Sequence, residues 1–518
     1  MAAGEAVLSE LLAVLRVATA SVATGVLSFV VPWQITRAVS IHLGPEALAA
    51  YALGQLTGNL TGRSIVNGLL LAFDTLGAQA FGRGDFREVG VLMLRAVLLA
   101  VCLLTPVALS WSWAEQCFLV LGQEPFVASF AARYLQIFRF SIIPLALFEV
   151  SRRFALSQGI AWPFTAATLA SNTFVAFAAA PMLRLWGFDG SALLNLTAVS
   201  VQAVTGLAYM AIRKPGEATQ AFPGLPGLCE AAAKDGLFEF LKLAVPGVLS
   251  MTEWWFWEVT CFRAGVFGAS SLAAHTVVYM AVPLLFQVPR GVSMGYAARA
   301  GALLGEGRGR AAKKVAFIGL AIGVMLVLVD AMLMWVAQEE YIAQMAGSSK
   351  DLTDTCRKIW PFVIFFLVVD GLFPLNQGVC NIHSHQGRVS VSMILSLWIV
   401  GVPVTLSSAD LLSLWKIFPL CYILLNALLI FSFAFSDWDL AAQRASHKDE
   451  IVGDADMEKA NNTQFHTPNS KNLQPQVLGA EDVVNHSCYN DYSHSSKPST
   501  RRSTSTAAWH GRQCCLVQ

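Results

Sequence analysis

Leu43-Gly44-Pro45-Glu46-Ala47-Leu48-Ala49-Ala50 returns 224 residues later as Phe267-Gly268-Ala269-Ser270-Ser271-Leu272-Ala273-Ala274. Each copy opens an apolar stretch. Downstream, Ala78-Gln79-Ala80-Phe81-Gly82 precedes a basic loop, as does Ala302-Leu303-Leu304-Gly305 at an offset of 223. Ser157-Gln158-Gly159 is echoed by His385-Gln386-Gly387 at an offset of 228. A near-constant offset in three places implies a duplicated half. It outweighs the chance recurrence of small residues in packed helices.

The apolar content says what is duplicated. Of 518 residues only 13% are charged and 55% are apolar, with a mean hydropathy of +0.56. Soluble chains carry about 25% charge, so this one lacks the residues to coat a soluble surface. A net charge of +1 excludes a nucleic-acid partner held by bulk electrostatics. A membrane span needs about 20 apolar residues. Breaks at Gly, Pro and charged clusters give twelve spans, at 16–38, 47–72, 88–111, 127–153, 162–183, 190–212, 237–264, 270–297, 312–336, 356–381, 388–408 and 412–435. The reading is an all-α polytopic membrane protein of two six-helix bundles. An even number of helices per half makes the repeat parallel, with its pseudo-two-fold axis along the membrane normal.

The expected organisation is a first lobe over 1–212, a Pro/Gly-rich linker at 213–236, a second lobe over 237–436 and a disordered polar tail at 437–518. Basic residues near the span ends favour one set of loops by about two to one, which places both termini in the cytosol. Plasma and organelle membranes both suit this plan. The chain's last four residues, Cys515-Leu516-Val517-Gln518, match a prenylation box, and Cys514 beside it suits palmitate. No metal or redox CxxC motif stands in the chain.

Charges within spans cost about 2.5–3.5 kcal/mol each on insertion scales, so each needs a reason. Glu253 and Glu258 lie mid-span in Glu253-Trp254-Trp255-Phe256-Trp257-Glu258. On an ideal helix they point about 140° apart. Trp257 shares the face of Glu253, and Trp254 that of Glu258. A carboxylate beside indole rings suits an organic cation through charge and cation–π attraction. Desolvation also makes it a proton acceptor, and competition between proton and cation for one acid yields exchange. Asp370 closes the apolar run Phe362–Val369 in the tenth span. Arg63 sits mid-span in the second helix, placed to bind an anionic substrate or to pair with Glu253, Glu258 or Asp370. Asn59 with Thr61 offers polar contacts in the first lobe, while Glu149 with Arg152 and Arg153 reads as a surface network.

Leu43-Gly44-x-x-x-Leu48-Ala49-Ala50 followed by Phe73-Asp74-Thr75-Leu76-Gly77-Ala78-Gln79-Ala80-Phe81-Gly82 resembles the multidrug and toxic compound extrusion (MATE) family. The Glu253–Glu258 segment resembles its eukaryotic branch, and the likeness covers residues 10–435. The resemblance implies a twelve-helix antiporter that exports organic, often cationic, solutes against protons or sodium by alternating access. It implies substrate or proton roles for Glu253, Glu258 and Asp370, and a gate role for Asp74 and Gln79 of the helix-two motif. The family often has Glu after a helix-eight Tyr, whereas Met280 follows Tyr279 here, and no acid stands between Thr19 and Ala38. Coupling is therefore expected from the second lobe. No cofactor and no enzyme activity are expected, since Walker A, GxSxG and HExxH motifs are missing from the sequence. The expected partners are a small organic solute and membrane lipid, with the chain monomeric. Rival readings are a lipid or organic-anion translocator of the same fold group, for which Arg63 is the expected sign, and a channel or receptor.

Overall fold

The computed structural model describes residues 2–224, 226–346 and 350–446, and among them every regular element is helical. Twelve spans appear: α1 (Ala2–Leu43), α2 (45–83), α3 (86–120), α4 (125–157), α5 (Trp162–Trp186), α6 (Asp189–Arg213), α7 (234–266), α8 (269–305), α9 (Gly309–Val336), α10 (Lys350–Ile382), α11 (386–406) and α12 (Leu411–Ala434). Most run beyond the apolar stretch that announced them. Eleven are long and apolar enough to cross a membrane unaided. The twelfth, α7, is broken at Met251 into α7a (Lys234–Ser250) and α7b (Thr252–Val266). Pro246 withholds one helical amide just before the break. Ser250 and Thr252 turn their hydroxyls back onto the carbonyls of Gly247 and Leu249, at 2.7 and 2.8 Å. The span α8 likewise divides at Phe286 into α8a (Ala269–Leu285) and α8b (Gln287–Gly305), flanked by Pro283 and Pro289.

The repeat is visible in the backbone. Gly44 (φ +88°) and Gly268 (φ +104°), which open α2 and α8a, both adopt conformations that side chains disfavour. At the other ends, Gly84 (φ +80°) closes α2 and Gly307 (φ +75°) closes α8b, with matching bonds from Asp85 N to Ala80 O and Arg308 N to Leu303 O. One proposed equivalence needs correction. The turn after α4 has Gly159 at φ +72°, and its counterpart after α10 is Ser384 at φ +58°, not Gly387. Bonds from Ile160 N to Ala155 O and from His385 N to Cys380 O, both 2.9 Å, fix the offset at 225 rather than 228. The short-motif match had slipped by three residues.

Two apolar cores correspond to the two lobes, and each borrows from the other half: Val14 and Ala18 of α1 join the second core, Phe240 and Ala244 of α7a the first. The lobes meet through glycines. A Cβ on Gly82 would stand 1.8 Å from Ala302 O, and one on Gly305 2.0 Å from Gln79 O. Both partners are 223 residues apart, so this is one crossing seen twice around the pseudo-axis. Gly68 against Val248 and Gly291 against Val22 repeat the pattern. Small residues let the backbones touch. By contrast, α7b and α8a pack chiefly against second-lobe elements. The lobes are thus sealed at the basic-loop end and splayed at the opposite end.

The segment expected to begin a disordered tail at 437 starts instead with a helix, α13 (Trp438–Ser446). Trp438, Ala442 and Ala445 bury themselves against the body, because those three supply an apolar stripe at helical spacing. Arg83 at the end of α2 donates to Ala445 O at 3.0 Å. Cys514 and Cys515 lie outside the described residues.

Candidate functional site

The break in α7 places Glu253 in the first turn of α7b, pointing into the second lobe, where it is 5% exposed. Its Oε1 accepts from Trp257 Nε1 at 2.9 Å and from Tyr422 Oη of α12 at 2.7 Å. The expected face-sharing with Trp257 is present, though the indole meets the acid with its N–H. Around them Trp257, Phe366, Phe418 and Tyr422 form a ring cluster with centroid separations of 4.6–5.5 Å. Asp370 of α10 is 3% exposed, within electrostatic reach of Glu253, and its Oδ1 has no hydrogen-bond partner. Asn426 braces the neighbouring backbone by donating to Val369 O at 2.8 Å. Among the described residues, neither Glu253 nor Asp370 forms an ion pair. Both carboxyl groups are removed from water, and Arg290 is within electrostatic reach of Glu253 without bonding to it.

The space between the lobes has a different character. A cavity of about 80 Å³ at the floor of the cleft is lined by Asp74, Arg153, Arg290 and Gln377, and by neither second-lobe acid. Asp74 pairs there with Arg153, whose side chain is 3% exposed. Both expectations for this region change. Asp74, two residues past the expected span 47–72, lies inside the helix, since α2 runs on to Arg83. Glu149 is not part of a surface network: it holds Arg152 at 2.6 Å with both side chains below 15% exposed, and Arg153 turns to Asp74 instead.

Arg63 does not meet the acids. It ends a π-helical turn, Asn59–Arg63, in the first lobe, within electrostatic reach of Tyr51, Tyr134 and Glu149. Its Nε is buried without a partner, and among the described residues it forms no ion pair. Asn59 opens the same turn and accepts from Gln55 Nε2 at 3.4 Å, while Thr61 accepts from Trp111 Nε1 at 3.0 Å. A one-residue helical widening of this kind often sits at a functional site. Gln79 works at the lobe seal, donating to Ile382 O at 3.3 Å, beside Thr75, which donates to Asn381 O at 2.9 Å. Glu258 and Trp254 are half-buried on α7b and do not line the cavity. Of Tyr279 only the backbone falls within the described structure.

The MatE family profile matches residues 18–182 and 247–406, one copy on each lobe. The chain belongs to the MATE family. It is therefore a multi-pass membrane transporter of organic solutes, not an enzyme. An uncharacterised transporter of Schizosaccharomyces pombe is 27% identical over 430 residues, covering 79% of this chain and 77% of its own. Multidrug and toxin extrusion protein 1 of Danio rerio is 28% identical over 415 residues, covering 78% and 69%. The crystal structure of the eukaryotic MATE transporter AtDTX14 superposes with a TM-score of 0.78 at 19% identity, covering 85% of this chain and 99% of that one. The twelve-helix, two-bundle architecture expected from the sequence is thus the MATE fold.

Three residues of this candidate site in the MATE chain escaped the sequence reading. Arg290 was lost inside an apolar span, although the repeat aligns it with Asn67, which lines the same cavity. Tyr422 looked like one more aromatic in Leu420-Cys421-Tyr422. Gln377 carried no local signal.

Proposed function

We propose that this chain is a proton-coupled antiporter exporting organic solutes by alternating access, with both termini cytosolic. The observation that carries the reading is the buried pair of Glu253 and Asp370 in one lobe, without a cation bonded to either. Protons are preferred to sodium because Glu253 is met by donors. An indole N–H can only donate, whereas a sodium ion needs a shell of oxygen acceptors. The cleft, sealed at the basic-loop end and splayed at the other, supports an outward-facing state, and the pseudo-two-fold repeat supports rocking of one lobe against the other. Proton binding at the acids would change the packing of α7b, α10 and α12, which converge on them.

The test is uptake of radiolabelled organic solutes into proteoliposomes under imposed pH or sodium gradients. A pH gradient alone should drive wild-type transport. Glu253→Gln and Asp370→Asn should each abolish it while the protein still purifies as a monodisperse species. Undiminished pH-driven transport in both variants would remove the pair from the mechanism.

A further inference from the structure

The charge balance at the floor of the cleft does not match a receptor for simple cations. Arg63, Arg152, Arg153 and Arg290 cluster around Asp74 and Glu149, and Arg290 also lies within electrostatic reach of Glu253, four guanidinium groups against three carboxylates. Arg152 and Arg153 are charge-paired with Glu149 and Asp74. Arg290 lines the cavity from α8b and, among the described residues, makes no ion pair and no side-chain hydrogen bond. Hydrogen-bond donors are also in excess. Gln377 Nε2, on the cavity wall, and Nε of Arg153 and of Arg63 are buried with no acceptor. Asn381 Oδ1 is a lining acceptor left open, and rotation of its amide turns it into a further donor. Uncompensated charge in a water-poor site is costly unless an opposite charge enters. Guanidinium is also the group best shaped for two-point bonding to carboxylate or phosphate.

We infer that this cavity is an anion subsite and that the transported solute carries a carboxylate or phosphate group, held by Arg290 with Gln377 and Arg153. The inference rests on the transporter reading above and adds to it the charge class of the cargo. A volume of about 80 Å³ suits such a headgroup, not a whole drug-sized molecule; the organic remainder would extend into the splayed end of the cleft. Asp74 holds Arg153 in place and keeps the site from binding anions so tightly that release stalls.

The experiment is ligand binding to the purified full-length protein, followed by thermal midpoint and by calorimetry. The probes are benzoate, phthalate and phenyl phosphate, against uncharged benzamide, tetraethylammonium and inorganic sulfate. The organic anions should stabilise the protein and benzamide should not. Arg290→Gln should weaken anion binding at least tenfold, Arg290→Lys should restore part of it, and the exposed-residue control Arg133→Gln should leave it unchanged. Should Arg290→Gln not fold, Arg290→Lys and Gln377→Leu carry the same test, each weakening the anions alone. Equal binding of benzamide or of tetraethylammonium in place of the anions, or an Arg290 variant that binds as wild type, overturns the subsite. Sulfate binding as tightly as the organic anions overturns the assignment to cargo, leaving a site for inorganic anions. Binding is read without transport, so the two readings fail separately. Anion binding with no pH-driven flux of any solute refutes the transporter mechanism alone, and pH-driven cation flux with no anion binding refutes the subsite alone.

Discussion

Glu253 sits among aromatic rings yet holds two hydrogen bonds, and those two donors explain how an acid is held there. A carboxylate in an apolar cage is tolerated only when donors replace the lost water, which Trp257 and Tyr422 do from two different spans. Tyr422 is therefore a positioning residue, tying α12 to the break in α7. Tyr422→Phe removes one bond to a carboxyl group, worth about 1.5–3 kcal/mol when that group is charged. Transport efficiency should fall about tenfold to a hundredfold at 1.4 kcal/mol per decade. In a Glu253→Gln background the same change should cost little further thermal stability, because the bond it breaks no longer matters to a charge. Additive shifts of the thermal midpoint would show that Tyr422 acts by packing instead. The acids themselves were legible in the sequence, since charge inside an apolar run needs a reason. Their partner was not, because a Tyr hydroxyl in a hydrophobic helix gives no sign of what it faces. Arg63 was misplaced for a related reason. Helical spacing sets the face of a residue, but the π-turn at Asn59–Arg63 shifts the register below it and turns Arg63 towards the first lobe.

Among the elements, helix boundaries carry most of the information that sequence patterns expose. Gly44 and Gly268 announced the repeat because a positive φ at a helix entrance restricts the residue type. Ser384 hid its half of the later equivalence by taking the same conformation without glycine. The start of α12 is built with the same economy. Asp410 accepts from the Ser413 amide at 2.7 Å and the Ser413 hydroxyl oxygen accepts from Asp410 N at 3.0 Å, a reciprocal cap in the loop outside the spans. The Ser413 side chain, and after it the Ser413 amide, hold the Asp410 carboxyl below its usual range. A lowered value means that the cap's contribution is fully present above the unfolded value, about 3.9, and is lost as pH falls through the lower folded one. Asp410→Ala should therefore loosen the first turn of α12 by about 1 kcal/mol at every pH from 5 to 8. Amide hydrogen exchange at Leu411–Trp415 is the readout. A cost that grows or vanishes within that range would show that another group governs the cap.

For the whole molecule, alternating access requires the sealed end to open, and the structure shows what must part. The glycine crossings bring backbone against backbone, so they separate as surfaces with little side-chain rearrangement. Helix α13 adds a discrete tie: Trp438 seats it on the second lobe, packed near Phe317, while Arg83 of the first lobe donates to Ala445 O. The bond spans the two lobes at the end that must open, so it stabilises the sealed state and not the state sealed at the other end. A hydrogen bond from a charged group contributes about 1.5 kcal/mol or more, and a ligand or bond present in only one state shifts the balance by its full worth. Arg83→Gln should then raise the population opened at the basic-loop end about tenfold. Ala78 is 1% exposed and faces Gly301 across the seal, so a cysteine there, in a background freed of the native cysteines, reports the opening. Its alkylation by a membrane-impermeant maleimide, added from the basic-loop side, should speed up by the same factor in Arg83→Gln and in a chain ending at Asp437. Speeding in the truncated chain alone would assign the tie to the packing of α13, and no speeding in either would free the lobes from α13 altogether.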